Sequence, residues 1–188
     1  MIAYVFWHYP REDANLGTYE ANLAALHDGL RTEGAKDFFT SFSYRVAGLP
    51  WIHGAGAAYE DWYVVSDWAA FAWLNATAVT GKQKAPHNGA AASLKAGAGG
   101  VYLLRAGAAP SNGGTSGQWF SKPEGMPYYA LDEMLAPLLR THALWQRQMV
   151  LGPGREFCLI GSEPATLPDG VKGLPVRRIN IHLSTETS

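Results

Sequence analysis

The feature that most constrains this chain is an alternation of strand-like and helix-like periodicity in the order β-α-β-β-α-β, which starts again in shortened form after a Gly/Ser-rich stretch. Residues 2–8 (IAYVFWH) are β-branched and aromatic, and Pro10 with Arg11-Glu12-Asp13 closes them as a strand. Residues 18–31 switch period: Tyr19, Leu23, Leu26 and Leu30 recur at helical spacing, and Gly34 ends the pattern. Residues 38–46 alternate, with Phe38, Phe42, Tyr44 and Val46 on one side and Ser41, Ser43 and Arg45 on the other. A loop carrying Pro50 and Gly54-Ala55-Gly56 leads to a third strand at 59–65, antiparallel to the second.

Ser66 is the expected N-cap of a second helix, with Asp67 at its positive end and Trp68, Phe71, Ala72 and Leu74 on one stripe. Residues 86–95 add an Ala-rich turn or two, Gly97 to Gly100 break it, and 101–105 form a fourth strand. This completes a first unit over 1–106. Residues 107–117 (GAAPSNGGTSG) have linker composition.

A second, abbreviated unit then spans 118–188. It has strands at 118–121, 144–151, 156–161 and 176–183, and a helix at 128–139 kinked by Pro137. Gly152-Pro153-Gly154-Arg155 reads as a hairpin turn. EDWYVVSD (60–67) matches EFCLIGSE (156–163) in its Glu, Ser and acidic end, in the same ordinal strand, which is the trace of an internal repeat. Only 164–173 separates the last two strands, so the second copy lacks most of its second helix.

In a β-α-β-β-α-β sheet helices cover one face, and the other carries polar residues if it meets water. Strand one departs from this, with Tyr4 and Phe6 opposing Val5 and Trp7; so does strand four, with Tyr102 and Leu104 opposing Val101 and Leu103. A large aromatic ring buries about 150–250 Å². At roughly 25 cal/mol per Å² that is at most about 4–6 kcal/mol per ring, a large stabilisation to forfeit to solvent. A second β-layer is therefore expected against the open face, from the second unit, another chain, or both.

The unit order, the aromatic first strand IAYVFWHY, the junction YEDWYVVSDWAAFAWL and the hairpin WQRQMVLGPGREFCLIG resemble the dimeric α/β-barrel (ferredoxin-like) superfamily, which includes EthD-like proteins and antibiotic-biosynthesis monooxygenases. The resemblance implies an α+β fold of two tandem ferredoxin-like units, sheets packed as an α/β barrel, a small-molecule cavity inside and a homodimer. It is one of pattern and carries over no catalytic residue. Haem enters only by analogy with haem-handling relatives, His142 being the axial-ligand candidate; no other cofactor is expected.

Composition narrows the functions. Fifteen Lys+Arg against sixteen Asp+Glu, with no basic run, leave no footprint for nucleic acid or anionic lipid. The start MIAYVFWHYP lacks the n-region of a signal peptide and WAAFAWL is too short to span a membrane, so a cytoplasmic protein is expected. A lone Cys158 forms no internal disulfide, and six scattered histidines show no metal-ligand spacing.

The candidate catalytic residues are His8, as a general base beside Tyr4 and Phe6, and Arg45, which with Ser41 and Ser43 could orient a carboxylate or enolate. Tyr4, Phe6, Ser41, Ser43 and the loop residue His53 are the ligand-binding candidates. Against these stand a strand-end histidine bonded to backbone, a solvated outer stripe on the second strand, and an exposed loop histidine. Two functions remain: a protein that binds or transforms a hydrophobic, aromatic small molecule in the barrel, and a non-enzymatic protein whose apolar faces form an oligomer interface.

Overall fold

The computed structural model describes residues 1–33, 37–54 and 56–182; the readings at Gly34, Ala55 and Leu183 fall outside them. The chain is α+β, with antiparallel strand pairing and, among the described residues, four α-helices. It divides into two units, residues 1–99 with 179–188, and residues 100–178.

The first unit holds β1 (Ile2–Pro10), α1 (Leu16–Glu33), β2 (Phe38–Val46), β3 (Ala58–Val65), α2 (Trp68–Thr77), α3 (Lys84–Ser93), the first half of β4 (Leu94–Ala106) and, from the other end of the chain, β9 (Ile179–Asn180). Its strands lie in the order β4-β1-β3-β2-β9, whose first four are the 4-1-3-2 order of a ferredoxin-like sheet. Among the described residues the order is linear, with no pairing that closes it into a barrel. Asn15 accepts the Thr18 N–H at 2.9 Å to start α1, which buries Tyr19, Leu23, Leu26, His27 and Leu30 on one stripe.

Local readings change in two places. The cap of α2 is Asp67 rather than Ser66, its carboxylate accepting the Ala70 N–H at 2.9 Å. The glycines expected to break the chain before the fourth strand lie inside β4. They are needed there for space: a Cβ on Gly97 would sit 2.4 Å from the Phe6 ring, and one on Gly99 would sit 2.4 Å from the Tyr4 hydroxyl. The two aromatic rings thus lie across bare backbone, a role for strand glycine that composition alone reads as a break.

The second unit contains the rest of β4, β5 (Ser116–Phe120), α4 (Tyr128–Leu135), β6 (Ala143–Arg147), β7 (Phe157–Gly161) and β8 (Gly173–Arg177). β8-β5-β7-β6 repeats the 4-1-3-2 order of the first unit, with no helix between β7 and β8. The two segments with matching Glu and Ser positions are β3 and β7, the third strand of each unit. Phe120, Leu131, Leu135, Leu144, Phe157 and Leu159 form this unit's core.

Residues 107–117 lie within the second unit, where buried Arg178 donates to the Gly113 carbonyl at 2.7 Å. The hairpin is wider than its turn residues suggest, because β6 stops at Arg147, whose guanidinium donates to the Gly152 and Gly154 carbonyls. The expected last strand is two: Pro175, which cannot donate, sits on edge strand β8, and the chain then leaves to pair β9 with β2.

Candidate functional site

Strand register assembles the site. Across β1 and β3 the partners are Tyr4 with Tyr63, Phe6 with Asp61 and His8 with Tyr59, while Ser43 of β2 pairs with Asp61 and Arg45 with Tyr59. Alternation therefore gives one face of the sheet a row of aromatic rings interrupted by one histidine and one carboxylate. This face lies under α1, α2 and α3. A cavity of about 370 Å³ remains between them, with Tyr4, Phe6, His8, Asp61 and Tyr63 on the sheet side. Tyr19 and Leu23 of α1, Phe71 and Leu74 of α2 and Ala90 of α3 complete it.

The cavity is thus on the helix-covered side, whereas the barrel reading puts a chamber on the open side. The physical reason lies in β4: with no side chain at Gly97 and Gly99, the Tyr4 and Phe6 rings lean over β4 and leave the space beneath the helices unfilled. The opposite face is dry too, since Val5, Trp7, Trp62 and Val64 are all buried. On that side the indole N–H groups of Trp7 and Trp62 donate to the two oxygens of buried Glu60 at 3.0 and 2.8 Å, and Trp51 packs edge-on against Trp7.

At the sheet side of the cavity, polar groups form a chain. The Tyr19 hydroxyl is 2.5 Å from His8 Nδ1, and His8 Nε2 is 3.1 Å from Asp61 Oδ2. The same oxygen lies 3.6 Å from His27 Nε2 and accepts from the Tyr63 hydroxyl at 3.3 Å. His8, His27 and Asp61 are each at most 1% exposed. The His8 ring stacks on Phe6 and Tyr59, and His27 stacks on Tyr63, so packing fixes both imidazoles.

The electrostatics follow from this packing. Burial would push the Asp61 carboxyl up, but the charge of His8 and hydrogen bonding from His27 and His8 outweigh it and hold the group well below the ordinary carboxylate range. Burial and the Asp61 charge raise the phenols of Tyr4, Tyr19 and Tyr63, so these hydroxyls stay protonated and act as donors. The arrangement can accept a proton at an imidazole, stabilise the resulting cation with a fixed anion, and present a phenol to a ligand oxygen.

Of the residues singled out from sequence, Tyr4, Phe6 and His8 come together in the cavity wall. Ser41 and Ser43 share that face of the sheet but are fully buried in β2 outside the cavity lining. Arg45 lies at the end of the same stripe, where Glu20 of α1 takes its guanidinium at 2.5 Å and accepts the Tyr59 hydroxyl at 2.7 Å. This pairing raises the Arg45 pKa and directs the side chain away from the cavity. His53 is exposed in its loop. His142 has both ring nitrogens engaged within the second unit, Nδ1 2.9 Å from the Thr141 hydroxyl and Nε2 2.9 Å from the Glu163 carbonyl.

Sequence reasoning passed over Asp61, Tyr19, Tyr63 and His27. A signal existed for the first: Glu60-Asp61 places two acids in the middle of an aromatic strand, where each must be buried and partnered, one on either face. His27 hides on the apolar stripe of α1, next to Leu26. Among the described residues no group of three His, Cys, Asp or Glu is placed to hold a metal ion, and no helix is long and apolar enough to cross a membrane.

No family model and no curated protein matches the chain. A crystal structure described as that of an anthrone oxidase-like protein aligns over 100% of this chain and 96% of its own, at 7% identity and a TM-score of 0.49. At that score the likeness carries no argument, and the functional reading rests on the site itself.

Proposed function

We propose that the first unit binds a planar, largely apolar molecule bearing one ionisable hydroxyl or enolisable carbonyl, and that His8, paired with Asp61, draws a proton from it through Tyr19. The Tyr19–His8–Asp61 chain in an aromatic-lined cavity is the observation that carries this reading. The volume of about 370 Å³ suits a molecule of two or three fused rings, at the lower end of the range for small-molecule sites, roughly 300–1,000 Å³.

The ligand proton passes to the Tyr19 oxygen as the Tyr19 proton moves to His8 Nδ1, and the electron pair of the broken bond stays on the ligand as an oxyanion or enolate. Asp61 neutralises the imidazolium, and the phenol, which holds its proton tightly, donates back to the new anion. Phe6 and Tyr4 offer ring faces on which a flat ligand stacks.

Titration of bound 2-naphthol tests this, with naphthalene as the control for binding alone. The wild-type protein should lower the pH at which the bound hydroxyl ionises by about one unit, equivalent to about 1.4 kcal/mol. His8→Phe should bind naphthalene within a fewfold of wild type and lose the shift. Absence of saturable binding by either compound, or a shift that survives in His8→Phe, would overturn the proposal.

A further inference from the structure

The proton chain does not end at Asp61. His27 Nε2 approaches the same carboxylate oxygen as His8, and on the far side of His27 lies His182, just after β9, their rings edge-to-face at 5.8 Å. His182 Nδ1 in turn is 3.9 Å from an oxygen of Asp28, whose side chain is 62% exposed. From His8 to Asp28 these groups form a series of proton-carrying side chains with one gap, between the His27 and His182 rings, running from the cavity to solvent past α1.

We propose that His27 and His182 are the route by which a proton taken up at His8 reaches water without passing through the ligand-filled cavity. The inference rests on the proton-abstraction reading above and adds the exit path. Three observations support it. First, Nδ1 of fully buried His27 and Nε2 of His182 have no hydrogen-bond partner among the described residues, an uncommon condition for buried imidazoles that have only to pack. One water between the two rings would satisfy a nitrogen on each and bridge the gap.

Second, a bound ligand would occupy the mouth of the cavity, and His8 is 1% exposed even without one, so a proton on His8 needs another way out. Third, the groups around His182 disfavour retention of a proton there. Burial, His27 and Arg31 lower its pKa to about 4, against the opposing pull of Asp28 and Asp61. A proton arriving at His182 is thus released at neutral pH. In balanced form, with His27 in its Nδ1–H tautomer so that Nε2 is free to accept, His8 gives up its Nε2 proton to the Asp61 oxygen as Asp61 passes one to His27 Nε2; His27 releases its Nδ1 proton through the bridging water to His182 Nε2, and His182 releases one from Nδ1 to solvent. One proton leaves for each one taken up, and no redox partner is required.

The exchange measurement itself needs no ligand. The solvent-exchange rate of the labile His8 ring proton is measured by nitrogen-15 NMR in the wild-type chain and in His182→Phe and His182→Gln, with urea unfolding as the folding control. His182 lies outside the pair that takes the proton, so both variants should keep the 2-naphthol ionisation shift. Exchange at His8 should slow at least tenfold in each. Exchange unchanged in a folded variant would overturn the route, even with the ionisation shift intact. Loss of the shift in wild type with exchange still dependent on His182 would instead remove the abstraction reading and leave the wire.

Discussion

Replacement of Asp61 by Asn is the most direct perturbation of the site, because it removes one charge and almost no volume. In the folded chain Asp61 meets His8 at 3.1 Å, His27 at 3.6 Å and the Tyr63 hydroxyl at 3.3 Å, and it is 1% exposed. An Asn oxygen can still accept from Tyr63, so the loss falls on the two imidazole contacts. Breaking a buried pair from one side costs about 3–5 kcal/mol, because the partner keeps its desolvation without its counter-ion. For a chain of this size that is a fall in Tm of roughly 6–20 °C.

The difference should also depend on pH in a fixed direction. The Asp61 carboxyl is held below its unfolded value of about 3.9, so the stability it contributes is fully present above that value and is lost as pH falls through it. Between pH 7 and pH 3 the advantage of wild type over Asp61→Asn should shrink by about 1 kcal/mol. Urea unfolding followed by tryptophan fluorescence at both pH values measures it. A destabilisation under 1 kcal/mol at pH 7, or a gap that widens on acidification, would refute the reasoning about this carboxylate.

Three further outcomes are expected. Gly97→Ala should push the Phe6 ring off β4 into the cavity, costing about 1–3 kcal/mol and weakening naphthalene binding, with Phe6→Leu in the same chain restoring part of both; isothermal titration and urea melts read this. His182, lowered to about 4 from 6.5, should make wild type lose stability as pH falls from 6.5 towards 4, by on the order of 1 kcal/mol once solvent screening at this partly exposed ring is allowed for. His182→Phe should flatten that limb of the stability–pH curve. Arg45→Ala should change stability by at most about 1 kcal/mol and leave 2-naphthol titration intact, because the guanidinium is 46% exposed on Glu20; a lost ionisation shift would return Arg45 to the site.

How much of this was legible in the chain can be argued from individual residues. Alternation along IAYVFWH was enough to group Tyr4, Phe6 and His8 on one face, since a strand has a period of two whatever it packs against. The repeat was legible through EDWYVVSD and EFCLIGSE, because the same strand of each unit has the same burial to satisfy. Arg45 shares the face of Ser41 and Ser43 as its spacing implies, yet only the position of Glu20 one layer above decides that it turns away. Gly97 and Gly99 read as a break because the rings that need their emptiness belong to a strand some ninety residues earlier.

By itself, then, the sequence determined the α+β class, the antiparallel pairing of β2 with β3 and the set of side chains on each face of β1 and β2, because these follow from local period and short connections. The tertiary structure alone decided which face holds the cavity and which groups meet in it. His8, His27, Asp61 and His182 come from four separate elements, and their coupling depends on distances of 3–6 Å that only the packing of α1 and the return of β9 onto the sheet can set.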